Sequence, residues 1–128
     1  EGVQIGSRFV ASQECSAHPD FKDAVVEAKE GDTMLSLKQL TAVRLLNNNF
    51  YQKVVEAENR GDSIDELKEL LGRGRAKKGM FEGDLQEGEL EIGQASSMIN
   101  KIKSAKEIID DIISSLKIEK ERISKITF

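Results

Sequence analysis

The chain has 128 residues, a formal net charge of −4 and 33% charged side chains: enough for one domain with a buried core, but short of the roughly 250 residues of a complete eight-stranded barrel. The acidic balance argues against general nucleic-acid binding, which shows itself in a basic surplus, so any phosphate contact is expected to be local. One cysteine, Cys15, and one histidine, His18, can make neither an internal disulfide nor a zinc site, and no apolar run nears the roughly 20 residues that span a bilayer; the expectation is a cytoplasmic chain without metal or membrane contact.

In chain order, Val3 and Ile5 precede Gly6 and Ser7, with Phe9 and Val10 beyond, and this spacing predicts a short buried strand over 3–5 that breaks into a loop at Gly6. A lone strand leaves N–H and C=O groups unpaired on both edges, so the reading implies sheet neighbours outside these residues. Phe21, Ala24, Val25 and Ala28 recur at helical spacing, which predicts a helix with Pro19 in its first turn, His18 as N-cap and an end near Gly31.

Thr33 to Leu37 reads as a short extended piece. Leu40, Val43, Leu46, Phe50, Val54 and Ala57 then keep a rough helical period, interrupted at Asn47 to Asn49 and ended by Gly61. Ser63 with Glu66 three residues on is a capping box before Ile64, Leu67, Leu70 and Leu71, so a helix is expected to start there. Residues 72–93 hold six glycines, at 72, 74, 79, 83, 88 and 93, and read as loop with a short helix around Ala76 to Phe81. Ile92, Ala95, Met98, Ile99 and Ile102 suggest another helix. Ser104 with Glu107 forms a second capping box, ahead of Ile108, Ile109, Ile112, Ile113 and Leu116, and that helix is expected to reach Ile123. The chain therefore reads as one strand followed by four or five helices, mainly α, in a single incomplete domain: strand, loop and first helix over 1–30, a helical region over 31–128.

A strand ending in Gly-Ser offers successive backbone N–H groups and a hydroxyl, and the missing Cβ of Gly6 lets an anion approach the backbone, a usual way to hold a phosphate. Taken alone, the pair is more often an ordinary turn. The stretch GVQIGSRFVASQECSAHPDFKDAVVEAK, with Arg44 and Asn47 in VRLLNN, then GRGRAKKGMFEGDLQEGELEIGQASSMI and SAKEII, resembles the C-terminal part of the nitronate monooxygenase (2-nitropropane dioxygenase) family, and within it the flavin-dependent enoyl-acyl-carrier-protein reductase II branch. The resemblance runs from Glu1 to about Leu116.

What the resemblance implies is a parent α/β protein, an FMN-binding (β/α)8 TIM barrel with added helices, of which 3–5 is the eighth strand. It also implies that Gln4, Ile5, Gly6 and Ser7 grip the FMN phosphate, in keeping with the phosphate preference of loops after the last barrel strands. The catalytic base is expected upstream. His18 is explained by capping, so no residue of this chain is assigned a catalytic role, and the isolated chain is expected to be inactive. By the same resemblance, Gln94, Ser97 and Met98 sit near the open face of the flavin site, where an amide and a hydroxyl could line a substrate pocket and Gly93 permits close packing. The alternative is that Ile92, Met98 and Ile99 are core and Gln94 satisfies a buried carbonyl.

Arg73, Arg75, Lys77 and Lys78 form the densest basic patch. It fails the P-loop pattern, because Gly79 is followed by Met80 and Phe81. It suits either an acidic carrier protein or NADPH phosphates, or is a solvated loop. Cys15 reads as an inert small residue. The expectations are then an FMN oxidoreductase acting on a nitronate, or using NADPH or NADH to reduce an enoyl thioester on an acyl carrier protein, with a homodimer allowed; the rival class is a non-catalytic helical fragment or interaction domain.

Overall fold

A computed structural model describes residues 2–127; Glu1, which heads the first motif, and Phe128 lie outside them. Six α-helices, one 3-10 helix and a two-stranded antiparallel sheet make up the regular structure among the described residues.

The predicted strand over 3–5 is not formed as a paired strand. Residues 2–6 make no ladder among the described residues, Val3 is 83% exposed, and the chain enters α1 (Ser7–Val10) directly after Gly6. The reason is the one that motivated the expectation of sheet neighbours: an extended segment becomes a strand only when another strand takes its N–H and C=O groups.

Helix α2 (Pro19–Glu27) forms as expected, with Pro19 at its first position and the His18 ring accepting from the Asp20 N–H. After five intervening residues a hairpin begins. Strand β1 (Thr33–Ser36) pairs with β2 (Val43–Leu46) in a register that sets Thr33 against Leu46 and Ser36 against Val43. The helical period over Leu40, Val43 and Leu46 is therefore misleading. The segment that follows Gly88 lies on the other edge of β2, where the Leu46 N–H donates to Leu90 O and the Ile92 N–H to Arg44 O. Partners on both sides hold β2 extended against its local periodicity.

Helix α3 (Asn49–Arg60) starts only after this strand, capped by Asn48 and closed by Gly61 in the left-handed region at φ 79°. Helix α4 (Ile64–Leu71) carries the expected capping box: Ser63 Oγ accepts from the Glu66 N–H, and the Ser63 N–H donates to the Glu66 carboxylate at 2.7 Å. Helix α5 (Arg75–Met80) is the short helix expected in the glycine-rich stretch.

The helix expected over 92–102 reduces to the 3-10 helix Gln94–Met98. Gly93 is held against Ser7 at one end, and the Lys103 N–H donates to Ala11 O at the other. Tertiary hydrogen bonds at both ends leave room for little more than one turn. Helix α6 (Ala105–Ser124) then runs past Ile123, started by its own Ser104–Glu107 capping box.

Two apolar clusters organise these elements. One gathers Ala11, Phe21, Val25, Leu90, Ile92 and Ile99 around α2; the other gathers Leu37, Leu45, Phe50 and Val54 between the hairpin and α3. Truncating a large side chain in either, such as fully buried Phe50, would cost about 3–5 kcal/mol. The strip Leu90–Ile92 faces the first cluster and pairs with β2, and so ties the two together. No helix among the described residues is long and apolar enough to cross a membrane.

Candidate anion loop and adjoining clefts

The loop before α1 bears the expected phosphate-gripping residues. The Ser7 and Arg8 N–H groups have no acceptor among the described residues, because the first bonded turn begins with Phe9 and Val10 donating to Gly6 O. Open space lies where a side chain on Gly6 would project. The Gly93 N–H donates to Ser7 Oγ at 3.0 Å. A hydroxyl that accepts from one side keeps its proton for an acceptor on another, so Ser7 contributes a backbone donor and a hydroxyl donor at one point.

Gln4, Ile5, Gly6 and Ser7 line a cleft of about 390 Å³ whose far wall is Ala95, Met98 and Ile99. A second cleft of about 700 Å³ lies across the 3-10 helix, lined by Arg44, Gln94, Ser97 and Met98 together with Glu30 and Thr33. Ala95 and Met98 border both. The fold thus sets Gln94, Ser97 and Met98 next to the anion loop across 86 residues of sequence. Met98, 83% exposed, is a cleft wall and not core, while Ile92 and Ile99 are buried. The Gln94 amide has no hydrogen-bond partner among the described residues, and Ser97 Oγ caps Gln94 O at 3.2 Å.

Two residues were passed over by sequence reasoning. Arg44, in the sequence only one residue of the VRLLNN stretch, stands in the second cleft, fixed by donation to Thr33 O at 2.7 Å. Ser96 was passed over for its exposed neighbour Ser97. It is fully buried, and its hydroxyl has no partner among the described residues. The signal was present, since Ser96 is the serine two residues after the Gly93-Gln94 pair.

The basic patch is divided by the fold. Arg75 donates to Leu70 O, Leu71 O and Glu87 O at 3.1, 2.8 and 2.8 Å, and its guanidinium lies 4.5 Å from the Phe50 ring centroid. That is a structural role. Lys77 pairs with Glu82, whose hydrogen bond raises the lysine above its ordinary range, and Lys78 pairs with Asp84. Among the described residues Arg73 alone of the four has no such partner. His18 is committed to capping and packs against Gly83, where a Cβ would come within 2.5 Å of the ring.

Comparison with known proteins agrees with this architecture. The family model for nitronate monooxygenase matches residues 1–115. A probable nitronate monooxygenase of Staphylococcus aureus (strain Newman) is 36% identical over 67 residues, which is 51% of this chain and 18% of that protein. The corresponding figures for a probable nitronate monooxygenase of Bacillus subtilis (strain 168) are 50% over 36 residues, 28% and 10%. The structure of FabK from Thermotoga maritima superposes with a TM-score of 0.87 at 35% identity, covering 97% of this chain and 39% of that one. A single-substitution mutant of that FabK gives 0.81, 34%, 97% and 37%. The chain therefore spans well under half the length of the relatives it matches.

These structural neighbours are TIM-barrel proteins, and the helical chain with its small sheet has the fold of part of such a barrel. The chain belongs to the nitronate monooxygenase family, and the FabK matches agree with its resemblance to the enoyl-acyl-carrier-protein reductase II branch.

Proposed function

We propose that the protein containing this chain is an FMN-dependent oxidoreductase that uses NADPH or NADH to reduce an enoyl thioester carried on an acyl carrier protein. The observation that carries the cofactor assignment is the anion loop: unpartnered Ser7 and Arg8 N–H groups, a Ser7 hydroxyl oriented by Gly93, and open space over Gly6. These donors fit a phosphate group, with the hydroxyl and the two amides each able to donate to one of its oxygens. When bound, FMN supplies the electron and hydride chemistry, and the protein supplies position and electrostatics.

The roles of the chain's own residues follow from their places. Gln4 and Ile5 wall the anion loop, and Met98 separates it from the second cleft. Gln94 and Ser97, exposed on that side, offer an amide and a hydroxyl to orient a substrate carbonyl, with Arg44 as a fixed cation nearby. No proton transfer is assigned to this chain. His18 holds the start of α2, and Cys15 packs beside the first cluster.

The structural resemblance to FabK over 97% of the chain favours enoyl reduction; the names of the curated relatives favour the second reading, nitronate oxidation. Anaerobic stopped-flow mixing of the full-length flavoprotein with NADPH or NADH separates them. Rapid bleaching of the flavin by a nicotinamide, with reoxidation by an enoyl thioester, is expected. Bleaching by a nitronate and by neither nicotinamide would establish the second reading instead. The 128-residue chain by itself is expected to retain no stoichiometric FMN; a yellow, equimolar complex would show that these residues suffice.

A further inference from the structure

The hairpin and α4 flank a groove of about 570 Å³, with Leu37, Leu40, Val43, Ile64 and Leu71 along its walls. Its floor comes from the segment that pairs with β2. Successive side chains of an extended segment point to opposite faces, and here Leu90 and Ile92 enter the first apolar cluster while Glu89 and Glu91 line the groove. Glu89 is 6% exposed and has no hydrogen-bond or ionic partner among the described residues.

A buried carboxylate without a partner is unusual, because losing water costs several kcal/mol unless a cation or donors replace it. No cation contacts Glu89 among the described residues. Arg75 directs its guanidinium at three carbonyl oxygens, and Lys68, on the groove's rim, pairs with Asp65 at 3.2 Å. Exposed Glu91 adds a second negative charge to the same wall. Burial, followed by the Glu91 charge, pushes the Glu89 carboxyl above its usual range, against the weaker opposing pull of Arg75.

We infer that this groove binds an organic ammonium ion, its charge taken by Glu89 and Glu91 and its alkyl part by Leu37, Leu40 and Val43. Charge complementarity names the occupant: two carboxylates that no cation contacts among the described residues, set in an apolar wall, match a cation on a short hydrocarbon stem. The uncharged isostere lacks the first half of that match and an inorganic cation the second. The site lies outside the anion loop and both clefts beside it, so it stands whether or not the FMN reading holds.

The test is titration of the full-length protein with n-butylammonium chloride, followed by calorimetry, with 1-butanol and sodium chloride at matched concentrations as controls. Saturable 1:1 binding of butylammonium is expected, at least about tenfold weaker in Glu89→Gln and reduced to a lesser degree in Glu91→Gln. Circular dichroism and melting of both variants show whether they stay folded; if Glu89→Gln does not, the Glu91→Gln titration and the butanol control carry the test. Equal binding of butanol and butylammonium, or binding unaffected by a folded Glu89→Gln, would overturn the proposal, as would no binding at all.

Discussion

Gly93 and Ser7 meet through a 3.0 Å hydrogen bond, backbone N–H to side-chain Oγ, and the contact is so close that a Cβ on Gly93 would stand 2.7 Å from that oxygen. This bond joins the anion loop to the 3-10 helix that carries Gln94, Ser97 and Met98. It brings two sequence motifs together, and a residue larger than glycine before Gln94 would displace the Ser7 hydroxyl.

In the full-length protein, on the proposed FMN reading, Ser7→Ala is expected to weaken FMN binding about tenfold, the value of one hydrogen bond to a charged group. Gly93→Ala should produce a loss of similar size although it touches no cofactor, because the methyl group pushes the Ser7 side chain aside. Fluorescence titration of the apoprotein with FMN measures both. A double variant no weaker than either single one would show that the two act as a unit.

Arg75 and Arg73 should behave differently. Arg75→Ala removes three hydrogen bonds to backbone carbonyls and the stacking on Phe50, and is expected to cost about 2–4 kcal/mol in chemical denaturation. Arg73→Ala should stay within about 0.5 kcal/mol. If carrier docking relies on this surface, Arg73→Ala is the variant that raises KM for a carrier-bound substrate while leaving a free thioester unchanged.

Ser96 supplies a prediction of opposite sign. Its buried hydroxyl has no partner among the described residues, so Ser96→Ala removes an unsatisfied group and leaves the turn intact. Stability should be unchanged or raised by about 1 kcal/mol, read as an upward shift in Tm. A marked loss would mean that the hydroxyl is paired in solution.

Asp84 predicts acid sensitivity in the loop after α5. The Glu87 N–H, the Lys78 ammonium and the Gln86 N–H hold its carboxyl down to about 2, against an ordinary 3.8. A depressed folded pKa stabilises the fold above the unfolded value, and that contribution is lost as pH falls through the folded value. Asp84 thus supports the fold fully above about pH 4 and progressively less toward pH 2. Asp84→Asn should flatten this part of the stability–pH curve; an unchanged slope between pH 4 and 2 would remove Asp84 as its cause.

Much of the local structure could be read directly. His18 with Pro19, Ser63 with Glu66 and Ser104 with Glu107 are starts whose chemistry is complete within a few residues, and each begins a helix where expected. The break into a loop at Gly6 was also legible, because the donors of Ser7 and Arg8 belong to the backbone of one short stretch; that they hold a phosphate is part of the proposal. Resemblance to a family added the barrel and the flavin, which spacing alone did not contain.

The tertiary structure decided the remainder. Val43 to Leu46 has helical spacing yet is a strand, since β1 on one side and Leu90 to Ile92 on the other supply its hydrogen bonds. Arg73 and Arg75 look alike in a row of cations, but only Arg75 meets carbonyl oxygens and an aromatic face. Glu89 looks like any solvated glutamate until the strand pairing turns it inward. Caps and turns are settled by neighbours in the chain, so sequence by itself determined them; the pairing of β2, the burial of Glu89 and the joining of Ser7 to Gly93 depend on groups tens of residues apart, whose approach is set by the packing of the whole core.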